Sequence, residues 1–221
     1  MRKRFGSVIP LLITASLLSG CSAVGEKAAS LSIIYGAAAV LSLLLLIGCI
    51  FSVRQKKAWF VLLFSSVLVV NIGYTLLSLS SCLEMALHAN RIAYLGSVFL
   101  PLAMLMIILN VTNTGFKRRL PICLFALSVF VFLIAASPGI LPIYYKEVSF
   151  QIVNGVSTLV KVYGPLHPLY LVYLLGYFSA MVTVIIRASV KKSIDSTSHA
   201  VILAIAVFVN IGVWFIEQKE P

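Results

Sequence analysis

Four phenols and an imidazole recur at helical spacing in one stretch of this chain: Tyr163, His167, Tyr170, Tyr173 and Tyr177. At about 100° per residue they fall within a sector of roughly 120°. A helix here therefore carries one face of hydroxyls and rings that runs inward from its start. Such a face can hold a ligand by stacking and hydrogen bonding. It can equally be an aromatic belt continued by interhelical hydrogen bonds, because a buried phenol needs a partner. A second set is Glu84, His88, Arg91 and Tyr94, at the mouth of the third span, in which Glu84 and His88 are four apart and would pair if that stretch is helical. Histidine titrates near neutral pH, so His88 and His167 are candidate reporters of external pH. The candidate ligand-binding residues are accordingly His88, Arg91, Tyr94, His167, Tyr170, Tyr173 and Tyr177.

Other chemistry finds little footing. The sequence has no G-x-x-x-x-G-K-[ST], H-E-x-x-H or G-x-S-x-G, and no Ser/His/Asp set with a plausible common location. Two histidines and a glutamate scattered over loops do not make a metal site. The expectation is no enzyme activity, no cofactor and no metal. Cys49 and Cys123 read as small apolar residues within helices. Leu18-Ser19-Gly20-Cys21 resembles the lipobox of bacterial lipoproteins, following the basic Met1-Arg2-Lys3-Arg4 and an apolar run from Phe5 to Ser19. Cys21 is then a candidate lipidation site. The competing reading is an uncleaved signal anchor, which leaves a Cys21–Cys82 disulfide open.

The elements that position these residues follow from composition. Of 221 residues, 61% are hydrophobic and 10% charged. Soluble domains run nearer ~45–50% and ~25%, so a water-soluble globule is excluded. At about 20 residues per span, six apolar stretches are expected as helices: 31–53, 58–80, 92–112, 120–141, 164–186 and 200–216. Unbroken apolar runs such as Leu43-Leu44-Leu45-Leu46-Ile47 exclude the alternation of a barrel. The expected fold is an all-α polytopic membrane helix bundle, with six spans after the signal segment.

Charge orients the bundle. The connections after spans one, three and five hold Arg54, Lys56, Lys57, Lys117, Arg118, Arg119, Arg187, Lys191 and Lys192 against one acid, Asp195. The opposite connections are balanced. The basic loops are therefore expected in the cytoplasm and the mature N-terminus outside, in a bacterial plasma membrane. This asymmetry accounts for the net charge of +11 without nucleic acid. No Asp, Glu, Lys or Arg lies in the middle of a span, which disfavours ion-coupled transport. Asn71, Asn110 and Asn210 read as interhelical hydrogen-bonding groups, and Pro101 as a mid-helix kink.

Asn90-Arg91-Ile92-Ala93-Tyr94-Leu95-Gly96, running on to Pro101, and Tyr163-Gly164-Pro165-Leu166-His167-Pro168-Leu169-Tyr170, running on to Tyr177, together resemble the N-terminal seven-helix membrane region of bacterial sensor histidine kinases and diguanylate cyclases. The resemblance spans roughly residues 31–216, with the Gly-Pro start of the later helix as its most specific part. It implies a sensory input role, with a seventh helix and a cytoplasmic kinase or cyclase domain beyond the sequence given.

The expected organisation is therefore a signal segment at 1–20, a sensor-type domain at 31–216, and a tail at 217–221. The expected function is a membrane-embedded sensory input domain that detects an unknown stimulus at its outer half and relays it by helix repacking. Its partners would be the lipid bilayer, an extracellular or membrane-soluble ligand, and an output domain or a second copy. An accessory membrane protein or a small transporter subunit is the alternative.

Overall fold

The computed structural model describes residues 26–52, 57–153 and 156–190. They form five helices: α1 (Glu26–Ser52), α2 (Lys57–Ser78), α3 (Leu83–Val111), α4 (Arg119–Ala135) and α5 (His167–Val190). Between α4 and α5 the chain makes an antiparallel hairpin of β1 (Tyr145–Val153) and β2 (Val156–Tyr163). Four of the helices are long and apolar enough to cross a membrane, and α4 is a shorter apolar helix of 17 residues. The signal segment, Cys21, Asn210, the span expected at 200–216 and the tail lie outside the described residues.

Three helix boundaries differ from the sequence expectation, each for a local reason. α3 begins at Leu83 rather than Ile92. Glu84, His88, Asn90 and Arg91 are polar but not helix-breaking, so they extend the helix beyond its apolar stretch. Glu84 in the first turn also suits the helix dipole. α4 ends at Ala135 rather than Leu141, because Pro138 cannot continue the ladder and Gly139 turns the chain at φ 81°. α5 starts at His167 rather than Gly164, so Pro165 precedes the helix and Pro168 sits in its first turn.

The membrane part is the all-α bundle expected, and the hairpin is the addition. α3 is its axis, in contact with α2, α4 and α5. Val98, Leu102, Leu105 and Met106 of α3 pack with Val131 of α4 and with Leu174, Met181 and Ile185 of α5 in one buried cluster. α1 leans on α2. There Asn71 Nδ2 donates to Ser42 Oγ at 3.2 Å, and Tyr35 stacks on Tyr74 at 5.2 Å. Asn110 instead bonds within its own helix, to the Met106 carbonyl at 2.8 Å. Large apolar side chains of α1, among them Ile33, Val40, Leu44 and Phe51, face outward, as a lipid-contacting helix requires.

Gly96 sets the distance between α2 and α3. A Cβ at this position would run into the Ser66 carbonyl and the Val70 side chain of α2. Close backbone approach through a small residue is how membrane helices gain packing contacts when water is absent. Gly96→Leu should therefore force the two helices apart and destabilise the bundle by about 1–3 kcal/mol. A lowered thermal midpoint in detergent checks this, and an unchanged midpoint would refute the close packing.

Candidate functional site

Five tyrosines and a histidine collect where the hairpin meets α3 and the start of α5. Tyr144 and Tyr145 are the anchor, only 1% and 3% exposed. They are held there by backbone: Gly164 N–H donates to the Tyr144 carbonyl at 2.9 Å, and Leu166 N–H to the Ile143 carbonyl at 3.0 Å. A Cβ on residue 164 would collide with that Ile143 carbonyl. This close approach is a physical reason for a glycine at the Gly-Pro start of α5. Below it, Tyr163 stacks on His167 at 3.9 Å, and the His167 ring also lies 5.1 Å from Tyr144 and 5.8 Å from Tyr145.

Tyr94 of α3 closes this group. Its hydroxyl shares a 2.6 Å hydrogen bond with Tyr145 and accepts one from Tyr144 at 3.3 Å. Its ring meets Tyr144 and Tyr170 edge-on, at 5.6 and 5.5 Å. Edge-to-face pairs at this spacing are the favoured arrangement of aromatic quadrupoles. Burial pushes the Tyr144 and Tyr145 phenols well above the ordinary tyrosine range, with the neighbouring Tyr94 adding to both. They therefore remain neutral hydrogen-bonding groups at any physiological pH.

The row continues down α5. Tyr170 is followed by Tyr173 at 6.3 Å between rings, and Tyr173 by Tyr177 at 4.7 Å. The Tyr173 hydroxyl donates to the Val98 carbonyl of α3 at 2.7 Å and lies 2.8 Å from Ser128 Oγ of α4. Tyr177 donates to the Leu124 carbonyl of α4 at 3.3 Å. One phenol thus joins three helices. The junction is next to Pro101, which has no N–H to donate to Ser97.

The second predicted set lies partly elsewhere. Glu84 and His88 are both exposed and both on α3, but His88 Nδ1 meets Arg91 at 3.4 Å rather than a carboxylate. The Arg91 guanidinium donates to the Ala136 carbonyl at 3.1 Å and the Pro138 carbonyl at 2.8 Å. It therefore caps the C-terminal end of α4, where carbonyls lack helical donors and a cation suits the dipole. Tyr94 alone of this set enters the aromatic group. Three buried polar atoms near these helix ends have no hydrogen-bond partner among the described residues: Asn90 Nδ2, Ser137 Oγ and His167 Nδ1. No grouping of three or more His, Cys, Asp or Glu able to hold a metal occurs among the described residues.

Tyr144, Tyr145, Ser128 and Lys161, whose ammonium lies over the Tyr145 ring, belong to the arrangement although the helical pattern of α5 does not point to them. The Asn154-Gly155 dipeptide between alternating runs was the signal for a hairpin, and with it for Tyr145 and Lys161. Ser128 carries no such signal, being one small residue in an apolar helix. Chemically, the assembly offers hydroxyls, rings and an imidazole for recognition, but no nucleophile–base pair among its hydrogen bonds.

The three-helix junction can be measured. Tyr173→Phe and Ser128→Ala should each destabilise the bundle, and the pair should show a coupling of about 0.5–1.5 kcal/mol in a double-mutant cycle. Strictly additive effects would mean that the two hydroxyls do not act together.

No curated protein and no solved structure matches the chain. The model of one protein family, described as the N-terminal 7TM region of histidine kinase, matches residues 34–218. The matched span takes in most of α1, all of α2 to α5, the hairpin and the whole aromatic row, and with the apolar helices it makes this a multi-pass membrane protein. The chain belongs to the family of N-terminal seven-transmembrane regions of histidine kinases.

Proposed function

We propose that this chain is the sensory input region of a bacterial signalling protein: a stimulus acts at the hairpin end, and the helices relay it to the basic-loop end by repacking. The observation that carries the reading is the continuous path of ring contacts and hydrogen bonds from Tyr163 through Tyr94 and Tyr170 to Tyr173. It begins at a half-exposed surface ring and ends where one hydroxyl ties α3, α4 and α5 together. A change at the top alters the packing that fixes three helices at the bottom. The relay is then a biased two-state bundle, with Pro101 as the pivot in α3.

The charge asymmetry supports an orientation with the hairpin outside and the clusters around Lys117 and Arg187 in the cytoplasm of a bacterial plasma membrane. Residues 1–20 act as the signal segment and Cys21 as the lipidation site in this reading. His88, Arg91, Tyr94, His167, Tyr170, Tyr173 and Tyr177 are its sensing and relay residues. A cytoplasmic kinase or cyclase domain, or a second copy, receives the signal.

A chimera tests it: residues 1–221 joined through one added membrane helix to a histidine kinase core, assayed for autophosphorylation in membrane vesicles. Tyr94→Phe and Arg91→Ala should each shift basal autophosphorylation several-fold in either direction while membrane insertion stays normal. Autophosphorylation indifferent to both changes would reject the relay.

A further inference from the structure

Lys161 occupies an unusual place in the hairpin. It pairs with Val148, and so shares a face with Leu159 and Ser157 rather than with the exposed Val160 and Val162. That face is turned to the helix ends: Val148 packs against the buried Tyr144 and Tyr145, and Ser157 donates to the Ser80 carbonyl. A lysine is thereby pointed inward, over the tyrosine group. Its ammonium lies 5.3 Å from the centre of the Tyr145 ring and close enough to His167 for its charge to be felt there.

Among the described residues no carboxylate answers this charge. Glu147 pairs with Val162 and projects from the opposite face, and Glu84 is an exposed residue of the first turn of α3. Among the described residues only the Tyr145 ring offsets the desolvation of the ammonium, and a cation–π contact is worth only about 0.5–2 kcal/mol. Burial accordingly holds the Lys161 amine below the ordinary lysine range. Beside it, the buried Nδ1 of His167 is one of the atoms without a hydrogen-bond partner. The neighbouring Tyr163 ring, stacked on that imidazole and 57% exposed, adds a flat apolar surface open to the outside.

We propose that Lys161, His167 and the Tyr145–Tyr163 rings form an oxyanion-binding site at the hairpin end, taking a carboxylate or phosphate group whose apolar remainder lies on the exposed Tyr163 ring. The group comes either from a soluble organic anion or from a lipid headgroup at the membrane surface. Lys161 supplies the charge, His167 a directed N–H to the bound oxygen, and the rings exclude water from the contact. The site deepens the sensory reading by giving the stimulus a chemical class, but its occupancy is measurable without any kinase output. A chain that binds anions while the chimera stays silent would remove the relay and leave the site standing.

The test uses the full 221-residue chain in phosphatidylcholine nanodiscs, with fluorobenzoate as the probe and fluorine NMR line broadening as the readout. The site predicts saturable binding, weakened about tenfold or more by Lys161→Met and kept by Lys161→Arg, as expected for loss of one desolvated charge. His167→Phe should weaken it several-fold. Adding phosphatidylglycerol to the nanodiscs identifies the source. Displacement of the probe, together with lipid retained by the wild type and not by Lys161→Met in native mass spectrometry, marks a headgroup site. No displacement marks a soluble ligand, and both outcomes uphold the proposal. A measurement free of any folding defect is acylation of Lys161 in the wild type, which the bound anion should slow. Anion binding that is the same in wild type and Lys161→Met, or unaltered Lys161 acylation with both probe and anionic lipid present, would overturn it.

Discussion

The hydrogen bonds that converge on the Tyr94 hydroxyl hold the hairpin end of this molecule together. Tyr144 and Tyr145 are consecutive residues buried by the packing of the hairpin on α3 and α5, and a buried hydroxyl left without a partner costs about 1–3 kcal/mol. Both hydroxyls meet that need at one oxygen, which α3 carries. The hairpin is thereby fixed to α3, the Gly164 turn is fixed to Tyr144, and the first residue of α5 is brought beneath Tyr163. Besides Tyr94, the Ser157–Ser80 bond and ring packing hold the hairpin to the helices.

The same requirement repeats deeper in the bundle. A phenol between apolar helices has no water to turn to, so Tyr173 takes the Val98 carbonyl and Ser128, and Tyr177 takes the Leu124 carbonyl. These bonds stand where Pro101 has already removed one N–H from the ladder of α3. α3 is consequently tied to α2 by close contact at Gly96, to α4 through Arg91 and, by way of Tyr173, through Ser128, and to α5 through Tyr94 and Tyr173. In the proposed relay this helix, bound on three sides, with a proline in its middle and the hairpin at one end, is the element that carries the displacement.

Much of this was readable from residue types and spacing. The apolar stretches, the polar face of α5 and the family itself follow from local patterns that survive in three dimensions. Helix ends are less legible: hydropathy, not helix propensity, draws the boundary at Ile92, so the polar stretch from Glu84 to Arg91 falls outside the expected span. Arg91 read as a ligand contact, since nothing local shows that the carbonyls of Ala136 and Pro138 will lie beside it. Tyr144, Tyr145 and Lys161 join the site only through the hairpin, whose register decides which face each presents. Ser128 acquires its role from a residue 45 positions away, a relation that a single sequence does not encode locally.

Amide hydrogen–deuterium exchange over residues 145–163, in the wild type and in Tyr94→Phe, tests most directly that the hairpin is held to the bundle through Tyr94. Slow exchange in the wild type, lost over the hairpin and the start of α5 but kept in the middle of α3 in the variant, is the predicted result. A hairpin that exchanges as freely as an unfolded peptide in the wild type, or one whose protection is untouched by Tyr94→Phe, would contradict the account.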